Sequence, residues 1–69
     1  MPLQVKQSDG IGRNVVDNFE TAVQRVGKTK GVIVAFSFVS SAHEEVARAK
    51  NEMGLEIKLK TVEEILRES

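Results

Sequence analysis

The sequence contains no cysteine and only one histidine, His43. The absence of cysteine excludes a disulfide framework and every zinc site built on thiolates. One histidine leaves little else to bind a transition metal. A chain of 69 residues lies near the lower limit at which a single hydrophobic core is sufficient. We therefore expect one small domain that is stabilised by association with another polypeptide.

The sequence also lacks an excess of charge of either sign, because ten basic residues balance ten acidic ones. No net field draws the chain to nucleic acid or to a membrane, although local basic patches remain compatible with DNA contacts. The longest apolar run is too short to cross a bilayer, and no signal peptide precedes it. These absences predict a soluble, cytoplasmic protein.

The longest apolar stretch is residues 31–39, Gly-Val-Ile-Val-Ala-Phe-Ser-Phe-Val. A strand with one solvated face alternates apolar and polar residues, and this stretch does not. Its β-branched and aromatic content predicts a strand in the middle of a parallel sheet that is covered on both faces. By position, Phe19, Phe36 and Phe38 are expected in the core.

Five further elements are predicted around this strand from periodicity and from capping residues. They are a strand at 3–7, a helix capped by Asn14 and ended by Gly27, a helix with a capping box at Ser41 and ended by Gly54, a strand at 55–60, and a short helix with a capping box at Thr61. The resulting order is β-α-β-α-β-α with short connections. It predicts an α/β fold with a three-stranded, mainly parallel sheet.

Strands in sequential order would place both crossover helices on one face of the sheet. The other face of the apolar strand would then be poorly covered, because the last helix is too short to hide it. Uncovered apolar surface of this kind usually marks an interface. We therefore expect a homodimer, or an additional N-terminal segment packed against this face or against the edge of the first strand.

Gln4 and Lys6 alternate with apolar residues on the first strand, so their side chains point the same way. A lysine in this position can stabilise the charge on a phosphate or orient a water molecule. The glutamine can offer its carbonyl oxygen to a metal or to a hydrogen bond. The spacing is equally typical of an exposed pair without a function.

The order of several short motifs is more specific than the Gln4 and Lys6 pair. It consists of Leu-Gln-Val-Lys-Gln at 3–7, a glycine-containing loop, Gly-Val-Ile-Val-Ala-Phe-Ser at 31–37, Ala-Arg-Ala-Lys at 47–50 and Leu-Glu-Ile-Lys-Leu at 55–59. This order resembles the C-terminal half of Mrr-like restriction endonuclease domains, which have the PD-(D/E)xK nuclease fold. Residues 4–22 are also similar to the tail of some archaeal DNA methylases of the N4/N6 type.

The resemblance implies a partial restriction-endonuclease-like fold and a DNA-associated role in restriction-modification. Gln4 and Lys6 match the Gln-x-Lys half of the catalytic site, with Gln4 beside a Mg²⁺ ion in an intact domain. The acidic half of the site has no counterpart among the matched residues, and Mg²⁺ normally requires carboxylate ligands. The resemblance therefore implies a fragment that binds DNA weakly and does not cleave it alone.

The loop Gly10-Ile-Gly12 and the residues after it suggest contacts with phosphate. Arg13 and Asn14 are candidates for binding a DNA phosphate at a helix start, which would position DNA without reading its sequence. The loop also resembles the beginning of a dinucleotide-binding fingerprint, but Val15 stands where the third glycine is required. A weak nucleotide-phosphate binder and a homodimeric scaffold without a ligand are therefore the alternatives to a DNA-associated module.

Overall fold

The computed structural model describes residues 2–68. Its six elements are β1 (Leu3–Val5), α1 (Arg13–Arg25), β2 (Lys30–Ala35), α2 (Ser40–Met53), β3 (Glu56–Thr61) and α3 (Val62–Glu68). The three strands are parallel and lie in the order β1-β2-β3. This confirms the predicted α/β class and the alternation of strands and helices. None of the helices in residues 2–68 has the length and apolar character that crossing a membrane requires.

Helices α1 and α2 share one hydrophobic core with the central strand β2. The core residues that these elements and β3 bury together are Val16, Phe19, Val23, Ile33, Ala42, Ala49, Leu55 and Ile57. Ile33 and Ile57 lie on the same face of the sheet, because Gly31 pairs with Ile57 and Ile33 with Leu59. Both crossover helices therefore cover one face, as sequential strand order predicts.

The contact between α1 and β2 is close because β2 carries a glycine beneath the helix. A Cβ atom at Gly31 would lie 2.6 Å from Cε2 of Phe19 and 3.1 Å from Cγ2 of Val23. Real side chains do not approach so closely, so the Phe19 ring occupies the space that a side chain at Gly31 would need. The glycine thus fixes how near α1 lies to the sheet.

The opposite face of the sheet is only partly covered. Its central residue Val34 is 6% exposed, but Leu3 and Val5 on the neighbouring strand β1 are 64% and 56% exposed. Leu3 pairs with Val32 and Val5 with Val34, so these apolar side chains share one surface. We call Leu3, Val5, Val32 and Val34 the open face.

Lysines border the open face at the start of β2 and along β3, and two of them are paired with acids. Lys30 lies 3.8 Å from Glu56, and Lys60 lies 2.7 Å from Glu68 of α3. Exposed ion pairs of this kind contribute little to stability. They do reduce the net positive charge that this border offers to DNA.

The predicted helix starts at Asn14 and Ser41 are wrong. Helix α1 begins at Arg13 after Gly12, and α2 begins at Ser40 after Val39; neither has a side-chain cap. The hydroxyl of Ser41 instead accepts a hydrogen bond of 3.3 Å from the backbone N–H of Arg13. A tertiary contact between the two helix starts therefore replaces the local cap.

The predicted helix ends are confirmed, and so is the last capping box. Gly27 and Gly54 have φ values of 70° and 68°, the left-handed conformation that ends a helix without strain at glycine. At α3, Glu64 N–H donates to Thr61 Oγ1, and Thr61 N–H donates to Glu64 Oε1, each over 3.1 Å. The bonds that the N–H and the hydroxyl of Thr61 donate to the Glu64 carboxylate hold the pKa of Glu64 below its ordinary value.

The central strand is shorter than predicted, and one of the three phenylalanines lies outside the core. β2 ends at Ala35, and the bend that follows leaves Phe36 51% exposed. Phe38 packs partly against the core and meets the ring of His43 edge-on, with 6.3 Å between ring centroids. His43 is exposed, as its position off the apolar stripe predicts.

Candidate functional site

The side chains of Gln4 and Lys6 lie together in a shallow cleft between β1 and α1. Gln4 pairs with Ile33, so it faces the helix-covered side of the sheet. The cleft has a volume of about 100 Å³ and is lined by Gln4, Lys6, Val15, Asn18, Phe19 and Ala22. β1 ends at Val5, earlier than predicted, but Lys6 follows directly and its N–H still bonds to β2, so the two polar side chains come together against α1.

The cleft lies beside a free edge of the sheet. Lys6 N–H donates to Val34 O over 2.8 Å, and Val32 N–H donates to Pro2 O over 3.0 Å. In a parallel strand, alternate residues direct their backbone N–H and C=O groups to the same neighbouring strand. Pro2 and Lys6 bond to β2, so the backbone groups of Leu3 and Val5 point away from β2, to the outer edge of β1. Within residues 2–68 no strand pairs with that side.

The charge in the cleft is positive. Lys6 forms no ion pair with any residue between 2 and 68, and none of the residues that line the cleft carries a carboxylate. A Mg²⁺ ion requires hard oxygen ligands, normally with at least one carboxylate. The amide oxygen of Gln4 beside an ammonium group does not meet that need. The cleft fits an anion and does not fit Mg²⁺.

Arg13 does not join this cleft. It lines a different cavity of about 230 Å³ with Ser41, Glu44, Glu45 and Arg48. Its Nε lies 3.3 Å from Glu45 Oε1. The guanidinium of Arg13 is thus already paired with a carboxylate, whereas the next residue, Asn14, is exposed in the first turn of α1.

The loop before α1 has few free donors for a phosphate. The N–H of Gly10 donates to Ser37 Oγ over 2.8 Å, and the N–H of Ile11 donates to Ser37 O over 3.1 Å. The N–H of Arg13 is bonded to Ser41. These bonds hold the loop against the segment between β2 and α2. The geometry therefore gives the nucleotide-phosphate alternative little support.

Two buried glutamates form the site feature that the sequence reasoning missed. Glu20 of α1 is 1% exposed and Glu45 of α2 is 2% exposed. Arg48 Nε donates to Glu45 Oε1 over 2.9 Å, and Arg48 Nη2 donates to Glu45 Oε2. This two-point bond with Arg48 lowers the pKa of Glu45 to about 2. Glu45 is therefore a charged carboxylate in the folded protein.

Glu20 lies in a different environment. Neither of its carboxylate oxygens accepts a hydrogen bond from a donor in residues 2–68, and the nearest guanidinium nitrogen, from Arg48, is 3.7 Å away. Burial raises the pKa of Glu20 to about 7. Glu45 acts in the same direction, because its carboxylate can accept a hydrogen bond from Glu20 only when Glu20 is protonated, and because its negative charge disfavours ionisation of Glu20. Glu20 can therefore exchange a proton near neutral pH.

Helical spacing provided a signal for both glutamates. Val16 and Val23 are fully buried on α1, and Glu20 lies between them at the same face. On α2, Glu45 stands in the same way between Ala42 and Ala49. A carboxylate at a core position of each of two adjacent helices predicts a buried polar pair.

Comparison with protein-family models, curated proteins and solved structures finds no match to this chain.

Proposed function

We propose that this chain is a DNA-associated module of a cytoplasmic restriction-modification or DNA methylase protein. The observation that carries the proposal is the position of Lys6, an unpaired ammonium group beside Gln4 in an open cleft at the sheet edge. Negative charge is attracted to such a group, and DNA presents a regular array of phosphates. The resemblance to Mrr-like domains supports the same two residues.

Each residue of the pair has a separate role in this proposal. Lys6 contacts a phosphate as a point charge. Gln4 offers an amide that can donate to a phosphate oxygen or accept from a water molecule. Because the cleft holds no carboxylate, the chain binds DNA weakly and does not hydrolyse it unaided. Acidic groups for cleavage would have to come from another polypeptide segment beside the free edge of β1.

Lys6→Ala tests the DNA contact. We expect it to weaken binding to a short duplex at low salt and to reduce the slope of log K against log salt by about one, because one phosphate contact is lost. Fluorescence anisotropy of a labelled duplex at several salt concentrations measures both quantities. Arg13→Ala is a poorer test, since it also removes the ion pair with Glu45.

Lys58→Ala is the control, because Lys58 is an exposed lysine of β3 that pairs with Val32 of the open face and does not line the cleft. It should leave affinity and salt slope close to those of the parent. Equal losses in both variants would mean that DNA contacts lysines without preference for the cleft. If Lys6→Ala bound the DNA duplex as the parent does, the proposed DNA contact at the cleft would be wrong.

The open face favours a second function, self-association as a scaffold. Leu3 and Val5 expose more than half of their surface, and no strand in residues 2–68 pairs with the outer edge of β1. A second copy that covers this surface would bury apolar area and stabilise a chain that is short for a single core. This function requires no ligand.

Val5→Lys tests self-association. If copies associate through the open face, the charge should shift the solution mass measured by light scattering from dimer towards monomer, because an unpaired buried lysine is costly. Val26→Lys is the control, since Val26 is 62% exposed at the C-terminal end of α1. A parent protein that is already monomeric at high concentration would exclude this second function.

A further inference from the structure

Three carboxylates converge where α1 and α2 pack against each other. One oxygen from each of Asp17, Glu20 and Glu45 lies within 4.8 Å of the other two. Asp17 and Glu20 belong to successive turns of α1, and Glu45 belongs to α2. Two helices thus direct acidic oxygens towards one point. Acidic groups often approach each other on a surface, so the convergence needs support from a separate observation.

That observation is the state of the Glu20 side chain. Both oxygens of Glu20 are buried and neither accepts a hydrogen bond within residues 2–68. A buried carboxylate without a donor is costly, and native proteins rarely leave one in that condition. The two oxygens lie in the cluster formed with Asp17 and Glu45. Within residues 2–68, no group therefore coordinates or donates to the oxygens of ionised Glu20 at hydrogen-bond distance.

Arg48 does not fill this position. Its guanidinium forms a two-point bond with Glu45 and remains 3.7 Å from Glu20 Oε1 without a hydrogen bond. It also lies 3.7 Å from Glu52. Arg13 contacts Glu45 as well. The carboxylates of Asp17, Glu20, Glu45 and Glu52 outnumber the two guanidiniums, so the local charge remains negative.

We propose that Asp17, Glu20 and Glu45 bind a divalent cation of calcium size and thereby join α1 to α2. Carboxylate oxygens are the ligands that such cations prefer. The three oxygens lie within 4.8 Å of one another, so a calcium ion with oxygen ligands at about 2.3–2.6 Å can contact all of them. Calcium also accepts irregular coordination, whereas magnesium demands near-ideal octahedral geometry and keeps more of its water. Asp17 is exposed and gives the ion a route from solvent, with water completing the coordination.

Calcium titration of the complete chain, first stripped with a chelator, tests this site at pH 7.5. We expect saturable binding of one ion per chain by calorimetry and a rise in Tm of about 4 °C or more at saturation, because ligand binding stabilises the folded state. Magnesium at the same concentration should give a smaller rise. Sodium chloride at matched ionic strength separates binding from screening.

Asp17→Asn is the decisive variant, because an exposed residue can be changed without disturbing the core. It should fold as the parent does and lose most of the calcium response, whereas Asp9→Asn, at another exposed aspartate, should keep it. A proton shared by Glu20 and Glu45 is the competing explanation, and it predicts no saturable binding of calcium by calorimetry. No calcium response in the parent, or an equal response in Asp17→Asn, would overturn the proposed site.

Discussion

Gly31→Val is expected to remove a large part of the stability of the folded chain. A Cβ atom at this position already lies 2.6 Å and 2.7 Å from two carbons of the Phe19 ring, and valine adds two further methyl groups. Extra carbons in a packed core cost about 1–3 kcal/mol and sometimes more. The total stability of a chain of this length is roughly 3–10 kcal/mol. Urea unfolding followed by circular dichroism measures the loss.

Two further variants identify the cause of that loss. Gly31→Ala should destabilise less than Gly31→Val, and adding Phe19→Leu should restore part of the stability, because it removes the ring atoms that clash. Gly12→Ala is the control, since its new Cβ would meet only side-chain ends, Ser41 Oγ at 3.2 Å and Val39 Cγ2 at 3.4 Å, and no aromatic ring. If Gly31→Val were as stable as the parent, α1 could not lie so close to β2.

The stability of the protein is expected to fall as the pH rises from about 5 to 8. The folded chain keeps a proton on Glu20, whose pKa is raised by burial to about 7, after the unfolded chain has released it at about 4.5. Raising the pH therefore removes stability, on the order of 3 kcal/mol once Glu20 is fully ionised. Urea unfolding in the presence of a chelator, at several pH values, measures this decline.

Glu45 has the opposite dependence at lower pH. The bond with Arg48 lowers the pKa of Glu45 to about 2. The contribution of Glu45 to the stability of the folded protein is therefore fully present above about pH 4.5 and is lost as the pH falls towards 2. The two groups together place the maximum of stability in the mildly acidic range.

Glu20→Gln isolates the contribution of Glu20 to this pH dependence. It should remove most of the decline above pH 5 and make the variant more stable than the parent at pH 8, because an amide does not ionise. Asp9→Asn, in an exposed loop, should retain the decline. A parent protein with equal stability at pH 5 and pH 8 would show that Glu20 does not titrate in this range.

The sequence predicted the order of the elements because local rules govern it. Alternation, helical spacing and glycines at helix ends each act within a few residues, so Gly27 and Gly54 were recognised as helix ends. The helix starts were mispredicted because contacts distant in sequence decide them. Ser41 has the composition of a local cap, but its hydroxyl is bonded to the N–H of Arg13 in another helix.

The candidate site was predictable only in part, for the same reason. The alternation of β1 was sufficient to place Gln4 and Lys6 side by side, and the structure has them in one cleft. The pairing of Arg13 with Glu45 depends on how α1 and α2 are positioned, which no local pattern contains. The burial of Glu20 and Glu45 was also missed, because a charged glutamate is usually expected on the solvated side of a helix.

The parallel register has a consequence for the order in which the chain folds. Leu3 pairs with Val32 and Lys30 with Glu56, so each strand pair closes a long loop that contains a complete helix. No hairpin is available to form early, and such non-local pairing slows folding. β1 contributes only three residues to the sheet. The segment that carries Gln4 and Lys6 is therefore expected to join the folded structure late and to detach from it first.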